Sequence, residues 1–250
     1  MKTSVFQYII NTRTRKGAVY AVLIDPDRKS DGNLDQQVKS ANNNGVDILL
    51  VGGSLMMDSR CHERVRRIKE QARMPVIFFP GALSQLNQHY DAMFFMSILS
   101  GRNPHYLIGE QVLAAPIVHD LGIETIPTGY LLFDGGKTTA VQFMSNTTPI
   151  PINQPDIAVA HVLAAQYLGM KLVYLEAGSG AQHSIPVETI RLIASESEVP
   201  LIVGGGIRTP EVAHDKITAG AAMVVTGTVL ESKPDGGLMK AFADAVHISG

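Results

Sequence analysis

The sequence predicts a (β/α)8 barrel of the TIM type, and three observations predict it. Eight short apolar, β-rich runs recur along the 250 residues, at 18–24, 48–51, 76–79, 92–96, 124–127, 172–175, 201–203 and 223–225. Most are apolar throughout rather than alternating, which suits strands of a parallel sheet buried on both faces. Longer amphipathic segments separate them. Gly45, Gly122, Gly169 and Gly220 each fall after a helical run and before a strand, where a left-handed cap is wanted. An open doubly wound sheet is the competing architecture. No G-x-G-x-x-G follows the first run, and a count of eight favours closure.

Taken in order, the segments 35–43, 59–71, 105–119, 157–168, 187–195, 211–219 and 238–246 carry apolar residues three and four apart, the helical period. One connection, 128–155, is too long for a simple turn. Tyr130 to Phe133, then Asp134-Gly135-Gly136, then Thr139 to Phe143 read as a β-hairpin with a glycine turn. Such an insertion, placed where barrel active sites are built, is a candidate lid, with plain decoration as the alternative. Residues 1–250 are expected to form one domain.

Composition narrows the function classes. Apolar residues make up 45% and charged residues 18%, so the chain is no disordered tail. No apolar run is long enough to span a bilayer. The formal net charge is −2, and no basic face of the nucleic-acid type emerges. Arg13 to Lys16 and Arg64 to Arg67 read as solvated surface. Cys61, the single cysteine, reads as an incidental thiol, so no internal disulfide forms. The first residues show no secretion signal, and a cytoplasmic location is expected.

In a barrel, chemistry sits where strands end. Gly178-Ser179-Gly180, Gly204-Gly205-Gly206 and Gly227-Thr228 follow the last three runs. Glycines let backbone N–H groups approach an anion, and a phosphate at these loops is the common barrel arrangement. Asp25 ends the first run. An ionised carboxylate there wants a partner or a metal, and Mg2+ takes few carboxylates plus substrate phosphate. Ser54, on the next run, completes that pair. A helix cap, a salt bridge to Arg28 or a general-base role are alternatives for Asp25; Asp27 reads as a loop cap. Tyr174 and Glu176, two apart on one strand, point together into the barrel mouth. Glu176 can act as base or stabilise a developing cation. No strand ends in lysine, and the histidines lack metal-ligand spacing.

The runs Leu23-Ile24-Asp25-Pro26-Asp27, Val51-Gly52-Gly53-Ser54, Phe79-Pro80-Gly81, Pro127-Thr128-Gly129-Tyr130, Tyr174-Leu175-Glu176-Ala177-Gly178-Ser179-Gly180-Ala181, Gly204-Gly205-Gly206-Ile207-Arg208 and Gly227-Thr228 stand in one order. In this the chain resembles the geranylgeranylglyceryl and prenylglyceryl phosphate synthase family over nearly its whole length. The resemblance implies a modified barrel that joins a prenyl diphosphate, geranylgeranyl diphosphate first among them, to sn-glycerol 1-phosphate through an ether bond. It implies Mg2+ on Asp25 and Ser54. It implies glycerol phosphate held by Tyr130, by Tyr174, Leu175, Glu176, Ala177, Gly178, Ser179 and Gly180, and by Gly205, Gly206, Gly227 and Thr228. Asp25, Tyr174 and Glu176 are then the catalytic residues. Arg28 stands where the family has lysine, and Ser100 where it has asparagine.

An apolar stretch, Phe94, Phe95, Met96, Ile98, Leu99, Tyr106, Leu107 and Ile108, offers a groove for the isoprenoid tail. A homo-oligomer, dimer or hexamer, is expected, with only transient membrane contact and no nucleic acid. Two other readings compete: a barrel isomerase or lyase acting on a small phosphorylated metabolite, and a catalytically silent barrel that binds phosphate ligands or a protein partner.

Overall fold

The computed structural model describes residues 4–231 and 236–248. Helix α1 (Val5–Lys16) precedes a closed parallel barrel of β1 (Val19–Ile24), β2 (Ile48–Val51), β3 (Val76–Phe78), β4 (Ala92–Ile98), β5 (Glu124–Leu132), β6 (Leu172–Glu176), β7 (Leu201–Gly204) and β8 (Met223–Thr226). The strands pair in sequence order, and β8 closes on β1 with Val19 beside Met223. Around them lie α2 (Leu34–Asn43), α3 (Cys61–Gln71), α4 (Glu110–Leu121), the short α5 (Ala140–Ser145), α6 (Pro155–Tyr167), α7 (Val187–Glu196), α8 (Pro210–Thr218), α9 (Thr228–Glu231) and α10 (Gly237–Val246). Every expected strand is present. Between β3 and β4 the crossover is a loop with one 3-10 turn, Leu83–Gln85, so the outer layer has a gap there.

The period-two alternation of a strand creates two cores. Ala21, Leu50, Ile77 and Phe94 fill the barrel, while Tyr20, Leu49, Phe78 and Met93 pack outward under the helices. Ile9 of α1 belongs to the inner core, with Val5, Phe6 and Tyr8 against it, so α1 plugs the N-terminal end of the barrel. The Glu124 carboxylate caps that helix, accepting the Val5 and Phe6 N–H groups at 2.6 and 2.9 Å. A carboxylate there also complements the helix dipole.

Asp47 fastens this plug. It is buried and accepts from Lys16 at 2.6 Å, from the Tyr20 N–H at 2.9 Å and bonds His247 at 2.8 Å. Burial pushes its carboxyl up, but the His247, Lys16 and Tyr20 bonds hold it below the usual range. This contribution is present above the unfolded carboxylate pKa and is lost as pH falls through the native one. Asp47→Ala leaves the buried Tyr20 N–H without an acceptor and Lys16 and His247 without their partner, so a loss of about 1–3 kcal/mol is expected in urea denaturation. A loss under about 1 kcal/mol, the level of an exposed pair, would contradict the assignment.

The expected hairpin in 128–155 does not form. Tyr130, Leu131 and Leu132 continue β5 in parallel register with Tyr174, Leu175 and Glu176. The apolar run is buried on both faces, which a parallel ladder rewards. Residues 140–145 are helical, and Val141 and Met144, three apart, both face the cavity described below. Over so short a window a helical spacing passes for alternation.

Candidate active site

A cavity of about 410 Å3 opens at the C-terminal ends of the strands. Asp25, Ser54, Tyr130, Tyr174, Glu176, Ser179, Gly180, Gly205, Gly206, Gly227 and Thr228, all named from sequence, line it. Three named residues do not. Leu175 and Ala177 pack into the outer core, because they alternate with Tyr174 and Glu176. Gly178 stands behind the wall, its N–H donating to Glu176 Oε1 at 2.5 Å. The Ala177 N–H bonds Gly204 O at 3.1 Å. These residues set the loop's shape behind the lining.

Glu176 is a strongly perturbed acid of the cavity. Burial raises its carboxyl to about 7, against the opposing bonds from the Gly178 N–H and the Tyr174 hydroxyl. Tyr174 is itself driven well above the ordinary phenol range by burial and by the adjacent Glu176. The Tyr174 and Tyr130 rings stack at 5.5 Å, and Phe79 lies 5.3 Å from Tyr174. The cavity is therefore lined by three mutually packed aromatic rings beside one carboxylate, an arrangement suited to a transient carbon-centred cation. Phe79 was not among the sequence candidates, although its Phe-Pro-Gly context at a strand end marks it.

Gly204 makes this packing possible. A Cβ there would lie 2.2 Å from the Tyr174 hydroxyl and 2.9 Å from Cζ. Gly204→Ala is expected to cost about 1–3 kcal/mol through overpacking. Tyr174→Phe in the same background should recover part of that loss, a coupling readable by thermal melts in a double-mutant cycle. Strict additivity of the two changes would contradict the contact.

On the opposite wall Asp25 and Ser54 follow the ends of the paired strands β1 and β2. A Cβ on Gly53 would come within 2.5–2.7 Å of the Asp25 carboxylate, so the glycine leaves room for it. The buried Gln85 side chain grips the Gly53 backbone, donating to its carbonyl at 2.7 Å and accepting its N–H at 3.4 Å. Asp27 is a loop cap, as expected, accepting the Met57 N–H at 2.8 Å. Among the described residues no group of three or more His, Cys, Asp or Glu could hold a metal. One carboxylate and one hydroxyl facing a substrate cavity fit a Mg2+ ion that draws its remaining ligands from phosphate and water. Ser100 lies away from the cavity, its Oγ accepting the Leu132 N–H at 3.0 Å.

The glycine loops form a cup at one end. Ser179 and Thr228 hydroxyls bond at 2.7 Å across it. Arg208, not singled out as a site residue from sequence, lines the cup and donates to Ala181 O at 2.8 Å, tying the β6 and β7 loops. At the other end the cavity turns apolar. Met96 and Ile98 lead from the barrel mouth, and Phe78, Leu86, Met93 and Phe95 continue onto the outer face, where the β3–β4 crossover lacks a helix. Tyr106, on a single π-helical turn (His105–Gly109), closes one side. Of the expected groove, Phe95, Met96, Ile98 and Tyr106 line it. Phe94 fills the barrel below, Leu99 packs against the outer core, and Leu107 and Ile108 face solvent.

The PcrB family model matches residues 10–246. A geranylgeranylglyceryl phosphate synthase of Chitinophaga pinensis is 41% identical over 99% of this chain and 97% of its own. One of Thermococcus gammatolerans is 45% identical over 89% of this chain and 88% of its own. The crystal structure of (S)-3-O-geranylgeranylglyceryl phosphate synthase from Thermoplasma acidophilum, in complex with its substrate sn-glycerol-1-phosphate, superposes with a TM-score of 0.88 at 36% identity. It covers 98% of this chain and 99% of its own. With the barrel, the glycine-lined cup and the apolar groove in place, this chain belongs to the PcrB family, together with the geranylgeranylglyceryl phosphate synthases it matches.

Proposed function

We propose that this chain is a prenyltransferase joining a prenyl diphosphate to the 3-hydroxyl of sn-glycerol 1-phosphate. The single observation that carries the reading is the cavity's polarity. A glycine-lined cup lies at one end, an apolar groove at the other, and Glu176 with Tyr174 lies between them. A small phosphorylated metabolite would leave the groove without an occupant. The glycerol phosphate relatives and the family membership support the same reading.

In this reading the cup fixes the phosphate and so places the glycerol hydroxyl against the allylic carbon. Asp25 and Ser54 would hold a Mg2+ ion, which would supply charge neutralisation for the leaving diphosphate. The C–O bond to diphosphate breaks as the glycerol oxygen bonds to carbon. Glu176 Oε takes the hydroxyl proton, and the Phe79, Tyr130 and Tyr174 faces steady the cationic carbon. Balance is complete: one ether, one diphosphate, one proton later returned to solvent. Among the described residues no helix is long and apolar enough to cross a membrane. The expected homo-oligomer would cover apolar side chains such as Ile108, Val112, Leu113 and Ile117, which are otherwise exposed.

The test is a transfer assay with labelled sn-glycerol 1-phosphate and prenyl diphosphates of several lengths, in Mg2+ or EDTA. Extractable product that requires Mg2+ and peaks at one length is expected. No product at any length from folded protein would overturn the reading and direct attention to soluble phosphorylated metabolites.

A further inference from the structure

Arg64 belongs to the Arg64 to Arg67 run whose sequence reads as solvated surface. It is not solvated. Its side chain is 2% exposed, and its guanidinium forms a fork on Asp58, both N–O distances being 2.7 Å. It approaches Asp31 at 3.3 Å and donates to Pro26 O at 3.4 Å. Arg67 binds the same Asp31 at 2.8 Å and Asp35 at 3.0 Å, so two arginines face three aspartates. Asp58 is pulled down to about 2, first by the Arg64 bond. Burying a guanidinium is expensive, and an apolar side chain of equal volume would usually be as stabilising. The distinguishing property of such a fork is geometric.

The geometry concerns two loops. Pro26 is bonded directly to Asp25, and Asp58 closes the loop that begins at Gly52 and carries Ser54. Arg64, on α3, holds the first loop by Pro26 O and the second by Asp58. The Asp27 to Met57 bond is a second tie between them. Arg64 does not line the cavity and touches no substrate. We propose that Arg64 is a positioning residue for the diphosphate half of the site: it sets the separation of Asp25 and Ser54 by clamping their loops to α3. This rests on the assignment of that wall to the metal and the diphosphate.

The prediction is a split between the two substrates. Arg64→Met should raise the prenyl diphosphate KM at least about tenfold, the scale on which outer-shell support acts, while the sn-glycerol 1-phosphate KM stays within about twofold. Calorimetric titration with inorganic diphosphate and Mg2+ should weaken by the same factor. Asp58→Asn should reproduce the split, and the double variant should add little to either. Arg66→Met, which loses only an exposed Glu70 partner, is the control. Thermal melts establish that each variant is folded. If Arg64→Met does not fold, Asp58→Asn decides, because it keeps the Pro26 and Asp31 contacts. Equal effects on both substrates, or no change in diphosphate titration, would overturn the proposal. Should wild type bind diphosphate but make no prenyl ether, the prenyl-transfer reading fails while the titration still judges Arg64.

Discussion

Glu176→Gln lowers kcat by about 10²–10⁴-fold, the usual contribution of a positioned general base. Affinity for sn-glycerol 1-phosphate stays within a few-fold, because the glutamine still accepts the Gly178 N–H bond and the cup is untouched. The pH profile separates a base from a merely structural acid. Wild-type kcat should rise with pH, by about tenfold per unit below the Glu176 value, and level off above it. That value is about 7, because burial disfavours the charged form. The variant should lose the rising limb.

The same residue gives a stability signature of opposite sign. A carboxyl whose native pKa is raised binds its proton more tightly when folded, so stability falls as pH rises between the unfolded and native values. For Glu176 the window runs from 4.5 to about 7. Above it, the buried charge costs roughly 3 kcal/mol at about 1.4 kcal/mol per pKa unit. Glu176→Gln should therefore melt higher than wild type at pH 8 by more than at pH 5. A variant that loses activity and is equally destabilised at both pH values would point to disrupted packing and contradict the base assignment.

Asp25→Asn is expected to lower turnover by about 10²–10³-fold, the scale of losing one electrostatic contact to developing charge. The carboxamide fits the space that Gly53 leaves, so the fold should be preserved. Two readouts localise the effect. Diphosphate titration should lose its Mg2+ dependence, and sn-glycerol 1-phosphate binding, which the glycine cup provides in this reading, should stay within a few-fold. An Asp25→Asn enzyme still activated by Mg2+ with wild-type affinity would remove Asp25 from the metal site.

The barrel was legible in the sequence because its strands are buried on both faces and read as unbroken apolar runs. The inward aim of Tyr174 and Glu176 followed from the same period of two. Three features were not legible, each for a physical reason. Helix α1 was missed because it presents its apolar residues to the end of the barrel rather than to a strand face. The false hairpin arose where β5 runs on past its expected end and a six-residue helix mimics alternation. Arg64 was read as surface because its partners, Asp31 and Asp58, lie on loops whose approach only the fold brings about. At the site, the glycines after the last three strands were read only as phosphate donors. A packing role was not legible: Gly204 makes room for Tyr174, as Gly53 does for Asp25.

The central claim is that the glycerol hydroxyl attacks the allylic carbon. Turnover of sn-glycerol 1-phosphate carrying oxygen-18 in its 3-hydroxyl, read by mass spectrometry, tests it most directly. The account predicts all of the label in the ether of the product and none in the released diphosphate. Label in the diphosphate, or prenyl alcohol formed in place of labelled ether, would contradict it.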